Sequence, residues 1–187
     1  MKFAKTTTIV TVSLALTLNV GCSGEEGGQE ICEGRVMNPH FSPAVLGEFR
    51  PPSSSQSHLD DTRIPYQWHL LLHAPCDEPV TIEEVCMIDG GDGAASQFVL
   101  EVPDETTASR NNDGVLRLTY ERSDTHSGDD QDDIAIVVQS NADNAPTIVV
   151  PVCARVVSSF SDDRFGFECD SPVEIPAEGE RVEGLCP

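Results

Sequence analysis

The 187-residue chain carries 32 acidic against 11 basic side chains, a formal charge of −21 and a pI near 4.3. Such a surface repels phosphate backbones, which excludes nucleic acid as a partner and leaves solubility, cation binding or a basic partner as uses for the charge. The length suits one domain with a single hydrophobic core and short extensions, not two domains.

Residues 1–21 read as a secretion signal, with Lys2 and Lys5 as a basic start and Ile9 to Val20 as an apolar stretch too short for a comfortable membrane span. The following "LTLNVGC" resembles a bacterial lipobox, with Asn19 where Leu is usual, and makes Cys22 the expected lipidation site and mature N-terminus. An ordinary signal peptide cut near Gly21 is the alternative. An acyl chain on Cys22 would hold the protein at a membrane surface without a spanning helix. Residues 22–34 open with "CSGEEGGQE", small, polar and acidic, as a flexible tether would be. After processing the chain would keep 9 Arg, no Lys and 32 acids, a charge of 9 − 32 = −23. Lipidation removes one of the seven cysteines from the count. It leaves Cys32, Cys76, Cys86, Cys153, Cys169 and Cys186, an even set suited to disulfides in an oxidising compartment. No CxxC occurs, which speaks against a zinc ribbon or a thioredoxin-type redox pair.

Beyond the tether the chain alternates short β-branched and aromatic runs with Gly, Asp, Asn and Pro. Strands are expected at Phe41–Phe49, Tyr66–Ala74, Val80–Ile88, Ser96–Val102, Gly114–Arg122, Asp133–Ser140 and Thr147–Val157, with a Pro/Ser-rich loop at residues 50–61. No segment has a convincing helical period. About seven strands at this spacing predict an all-β, immunoglobulin-like antiparallel sandwich. In "VLRLTYER" the alternation sends Leu116, Leu118, Tyr120 and Arg122 to one face, with Leu116, Leu118 and Tyr120 facing the core, and Val115, Arg117, Thr119 and Glu121 to the other. "IAIVV" and "TIVVPV" are more continuously apolar, as mid-sandwich strands are, but Pro151 cannot donate to a ladder and implies a bulge or a sheet edge in the last strand, with a bulge or a crossing between sheets expected.

Few residues suggest chemistry. His69 and His73 share a strand face around Leu71, and without a Glu after His69 they fail the zincin pattern, so a structural or exposed role is expected. "SDTHSGDDQDD" gathers Asp124, Asp129, Asp130, Asp132 and Asp133, hard oxygen donors suited to Ca²⁺, although the Gly and Glu places of an EF-hand are unfilled. A polar hairpin connection is the plainer reading, and "DGGDG" at Asp89–Gly93 likewise reads as a turn. Glu83 and Glu84 are adjacent and point to opposite faces of a strand, so they cannot act as a carboxylate pair. No nucleophile elbow or phosphate-binding Gly loop is present. A non-enzymatic protein is expected, with no cofactor other than Ca²⁺ on the Asp-rich segment.

From Trp68 onward, "WHLLLHAPCDEPVTIEEVCMIDGGDGAASQFVLEVP" and "GVLRLTYERSDTHSGDDQDDIAIVVQSNADNAPTIVVPVCARVV" show a fixed order of features. An alternating strand follows a Pro-containing loop, an Asp/Gly turn leads to a Ser-x-Phe strand, a Tyr strand enters a polar hairpin, and "SN" with an Asp and a Pro precedes a final valine strand. This order resembles the ASPM, SPD-2 and hydin (ASH) type of immunoglobulin-like domain, a relative of the major sperm protein fold. Domains of that type recur in exported, lipid-anchored bacterial proteins, notably of myxobacteria. The resemblance covers residues 35–157 and implies a β-sandwich used for scaffolding or binding, with no catalytic motif to carry over.

On that fold Cys32 and Cys76 gather at one end and are a reasonable pair, whereas Cys86 and Cys153 lie nearer the other end. These two would bond each other, or Cys169 and Cys186 of the tail formed by residues 158–187. The tail would then strap across the sandwich and cover an edge strand. The expected protein is an exported lipoprotein of the outer membrane or cell surface, with a periplasmic or secreted soluble form as the alternative. It would bind or scaffold a protein or other envelope component, and a calcium-dependent adhesion module is the alternative role.

Overall fold

A computed structural model describes residues 34–38, 42–50, 64–90, 93–103, 106–122 and 130–187. The signal segment, nearly all of the tether, Cys22, Cys32, Asp124, Asp129 and the side chain of Asp130 lie outside the described residues.

The β-branched runs form β1 (Ala44–Phe49), β2 (Tyr66–Leu72), β3 (Val80–Asp89), β4 (Phe98–Glu101), β5 (Thr107–Ala108), β6 (Gly114–Tyr120), β7 (Asp130–Ser140) and β8 (Thr147–Val156). One 3₁₀ turn, Ala94–Gln97, precedes β4. The strands make a five-stranded sheet in the order β1-β8-β7-β3-β5 and a three-stranded sheet in the order β2-β6-β4, packed as an immunoglobulin-like sandwich. All pairings are antiparallel except β1 with β8, which is parallel. Seven of the strands fall on the seven runs expected from sequence. The eighth, β5, pairs only with Val80 and Thr81 and is too short to leave a periodic signature.

Period-two alternation explains the core. In β6, Leu116, Leu118 and Tyr120 are at most 1% exposed, and Arg122 beyond the strand end follows them inward. In β7, Ile134, Ile136 and Val138 face the same core, where they meet Leu70, Leu72 and Phe98. Phe49, Tyr66, Phe98 and Tyr120 add tilted ring contacts at 4.9–5.3 Å. β7 is the middle strand of its sheet and has a second apolar face: Ala135 and Val137 point outward and are still fully buried. A strand covered on both faces reads as continuously apolar, as "IAIVV" does.

Pro151 produces neither a bulge nor a crossing. It stands opposite Ala135 in a ladder that runs unbroken from Asp130↔Val156 to Gln139↔Thr147. Because Pro cannot donate to β7, its nitrogen must point to the other side, and there β1 joins only at Ala44↔Val152, one residue further on. The bulges lie instead in β1 between Val45 and Gly47, and in β3 between Ile82 and Glu84. Gly47 supplies the positive φ of 111° at the first.

Candidate functional site

The closing hairpin "SNADNAP", between β7 and β8, is where both ends of the described chain meet. Asn144 takes Met37 as a ladder partner would: its Oδ1 accepts from Met37 N–H at 3.0 Å and its Nδ2 donates to Met37 O at 2.7 Å. Asp143 Oδ2 accepts from Arg35 N–H at 3.0 Å, and its own N–H donates to Arg35 O at 2.7 Å. Asn141 does the same for Thr81 at the start of β3, accepting its N–H at 2.9 Å and donating to its carbonyl at 3.1 Å. Ser140 Oγ closes the turn on Ala145 O. Each polar side chain of the loop is engaged within the chain, so the loop works as a clasp.

The C-terminal segment meets the clasp from the opposite side. Gly179 N–H donates to Asn144 O at 2.8 Å, and Arg181 Nη1 donates to Ser140 O at 3.0 Å while its Nη2 bonds Glu83. Gln139 Nε2 donates to Val182 O, and Val182 N–H donates to Thr147 Oγ1. Between clasp and segment lies a cleft of about 190 Å³, lined in part by Ser42, Asn144, Ala145, Ile148, Ile175 and Pro176. It is smaller than the pockets of about 300 Å³ or more that hold drug-sized ligands.

Two disulfides fix the path of this segment. From Ser158 to Phe167 it keeps beside β1, the edge strand. Ser161 donates through N–H and Oγ to the buried Glu48 carboxylate at 2.7 and 2.9 Å, and the Phe165 ring lies over Gly47. Cys169 then bonds Cys153 of β8, with 5.2 Å between Cα atoms. Further on, Val173, Leu185 and Cys186 pack onto Ala135, Val137 and Val149, and Cys186 bonds Cys86 of β3 at a Cα separation of 5.7 Å. The strap thus runs beside the edge strand β1 and also covers the outer face of the larger sheet. A Cys86–Cys153 bridge is sterically excluded. β7 separates β3 from β8, which puts the two residues about 9–10 Å apart across the sheet alone, and Cys86 sits opposite Val137 whereas Cys153 sits opposite Asp133. The sequence separations of 16 and 100 residues correspond to about 3 and about 4.7 kcal/mol in the chain-entropy account. Cys76 is disulfide-bonded as well, and its expected partner Cys32 lies outside the described residues.

The Asp-rich segment does not bring its two described side chains together. Asp132 turns inward, where Tyr120 Oη donates to its Oδ2 at 2.5 Å and Arg122 Nη1 donates to the same oxygen at 2.9 Å. Burial, followed by the hydrogen bond and charge of Asp132, raises the Tyr120 pKa well above its ordinary value. Asp133 turns outward, where its Oδ1 accepts from Asp170 N–H at 2.9 Å and from Gln131 Nε2 at 3.0 Å. One ion cannot reach both carboxylates through the sheet. Asp133 does lie within 4.8 Å of the sulfurs of Cys153 and Cys169, but these are bonded to each other and offer no thiolate. His73 Nδ1 pairs with Asp113 at 2.7 Å on the surface, and His69 is exposed on β2.

Sequence reading missed the clasp residues Asn141, Asp143 and Asn144, and also Arg181. The available signal was a run of short polar side chains between two strands too apolar to leave backbone groups unpaired.

Fold and braces together define a disulfide-stapled immunoglobulin-like β-sandwich that wears its own C-terminal strap. No protein-family model and no curated protein matches the chain. Among solved structures it is similar to the periplasmic chaperone SfaE, with 12% sequence identity and a TM-score of 0.39 over 67% of this chain. The match spans 60% of the chaperone, less than two thirds of its length.

Proposed function

We propose that this chain is an exported, lipid-anchored, non-enzymatic protein of the cell envelope, whose sandwich serves as a binding or scaffolding module. One observation carries the reading: all five described cysteines, Cys76, Cys86, Cys153, Cys169 and Cys186, are disulfide-bonded. Structural disulfides of this number form and persist in oxidising compartments, which supports export. They also leave no described thiol for nucleophilic or metal chemistry. The anchor rests on the lipobox-like "LTLNVGC", and the module role on a fold whose polar loop residues are engaged in holding the chain together.

Intact-mass and acyl analysis of the protein purified from its native envelope tests the proposal. The expected result is a chain beginning at Cys22 with an added acyl mass and no free thiol. A chain that keeps residues 1–21, or one with free thiols, would overturn it.

A further inference from the structure

We infer that the Cys86–Cys186 disulfide is a latch, and that a dithiol reductant opens it to release the strap beyond Cys169 and uncover an apolar stripe on β7 and β8. Three observations lead to this device.

The first is access. Thiol–disulfide exchange requires a thiolate to reach a sulfur, so exposure governs which bridge reacts first. Cys86 and Cys186 are both partly exposed, whereas Cys153 and Cys76 are 0% and 1% exposed. In the Cys153–Cys169 bridge only Cys169 is partly exposed, so of the two bridges whose cysteines are both described, the one at the far end of the strap is the more open to attack.

Charge is the second. Residues 170–187 contain five acids and one Arg, 1 − 5 = −4, and the rest of the chain carries −21 − (−4) = −17. The strap lies against a body of its own sign and is repelled by it. Arg181, bonded to Glu83 and Ser140 O, is the only cation these residues bring to the contact. The latch holds the strap down against that repulsion.

The third is what lies beneath. Ala135, Val137 and Val149 are at most 3% exposed and face away from the main core, packed by Val173, Leu185 and Cys186. The strap has no helix or strand of its own, so its hold is limited to side chains and a few hydrogen bonds, including those of Gly179 and Val182. Elements fixed by so few contacts sit at the low-stability end of a protein. The exchange balances: the reductant's two thiols become a disulfide, and Cys86 and Cys186 each gain a hydrogen. Cys153–Cys169 stays closed and keeps Ser158–Phe167 beside β1.

Hydrogen exchange on the full chain, combined with differential alkylation of thiols, tests the latch. With limiting dithiothreitol at low salt, Cys86 and Cys186 alkylate first, and the amides of Gly179 and Val182 exchange about tenfold faster or more, while Ile134–Val138 stay protected. At about 1 M NaCl, where the screening length falls to about 3 Å, part of the protection returns. The unreduced double variant Cys86→Ser with Cys186→Ser behaves like the reduced protein. The latch is refuted if Cys153 and Cys169 alkylate as early, if Gly179 and Val182 keep their protection once the bridge is open, or if the core loses protection with the strap.

Discussion

Tyr120 and Asp132, one from each sheet, share a 2.5 Å hydrogen bond from the phenol to carboxylate Oδ2. It ties the sandwich together at the end where Arg122 joins the same oxygen. Burial and the neighbouring carboxylate favour the neutral phenol in the fold, so its folded pKa lies above the unfolded value of about 10. Above that pH the unfolded chain releases a proton that the fold retains, and stability must fall as pH rises. The contribution is fully present below about pH 10. Thermal unfolding followed from pH 8 to 11 should show this decline, and Tyr120→Phe should flatten it while costing about 1–3 kcal/mol at neutral pH.

Asp132 and Asp133 are neighbours in sequence with unlike roles. Asp132→Asn removes one member of a buried ion pair and should cost about 3–5 kcal/mol. Asp133→Asn touches only partly exposed contacts to Gln131 and Asp170, where an amide oxygen still accepts, and should cost less than about 1 kcal/mol. Urea unfolding of the two variants checks the contrast, and equal losses would refute the inward and outward assignment.

Asn144→Ala strips both partners from the Met37 backbone, which is held in a part-buried place. A loss of about 1–3 kcal/mol is expected. Residues 34–38 should become more open to limited proteolysis, held by the Asp143 bonds to Arg35, the Asn38 N–H bond to His73 O and the Arg35–Glu78 ion pair.

Gly47 has φ 111°, and a Cβ there would sit 2.8 Å from Phe165 Cε1. Gly47→Ala therefore combines backbone strain with a clash against the strap, about 1–3 kcal/mol. The Phe165→Ala variant removes the clash but not the strain. The two changes together should cost less than the sum of their separate losses in equilibrium unfolding.

Strand positions were legible because alternation in β6 and uninterrupted apolarity in β7 and β8 are direct images of one-sided and two-sided burial. Disulfide bonding was legible from the cysteines, and the five described ones are all bonded. Pro151 misled because a proline's effect on a ladder depends on which side its nitrogen faces, and that is set by where β1 joins. The inward turn of Asp132 was hidden for a similar reason. A string of aspartates shows no register until β7 is known to extend past Asp133 to Asp130. The choice between Cys86–Cys153 and the two tail bridges required strand order, because only β7 lying between β3 and β8 separates the two sulfurs.

Proteolysis of the unreduced protein followed by mass spectrometry of linked peptides tests most directly the claim that the strap is stapled across the larger sheet. Peptides joined through Cys86–Cys186 and Cys153–Cys169 are the predicted result. A peptide joined through Cys86–Cys153, or Cys186 recovered as a free thiol, would contradict it.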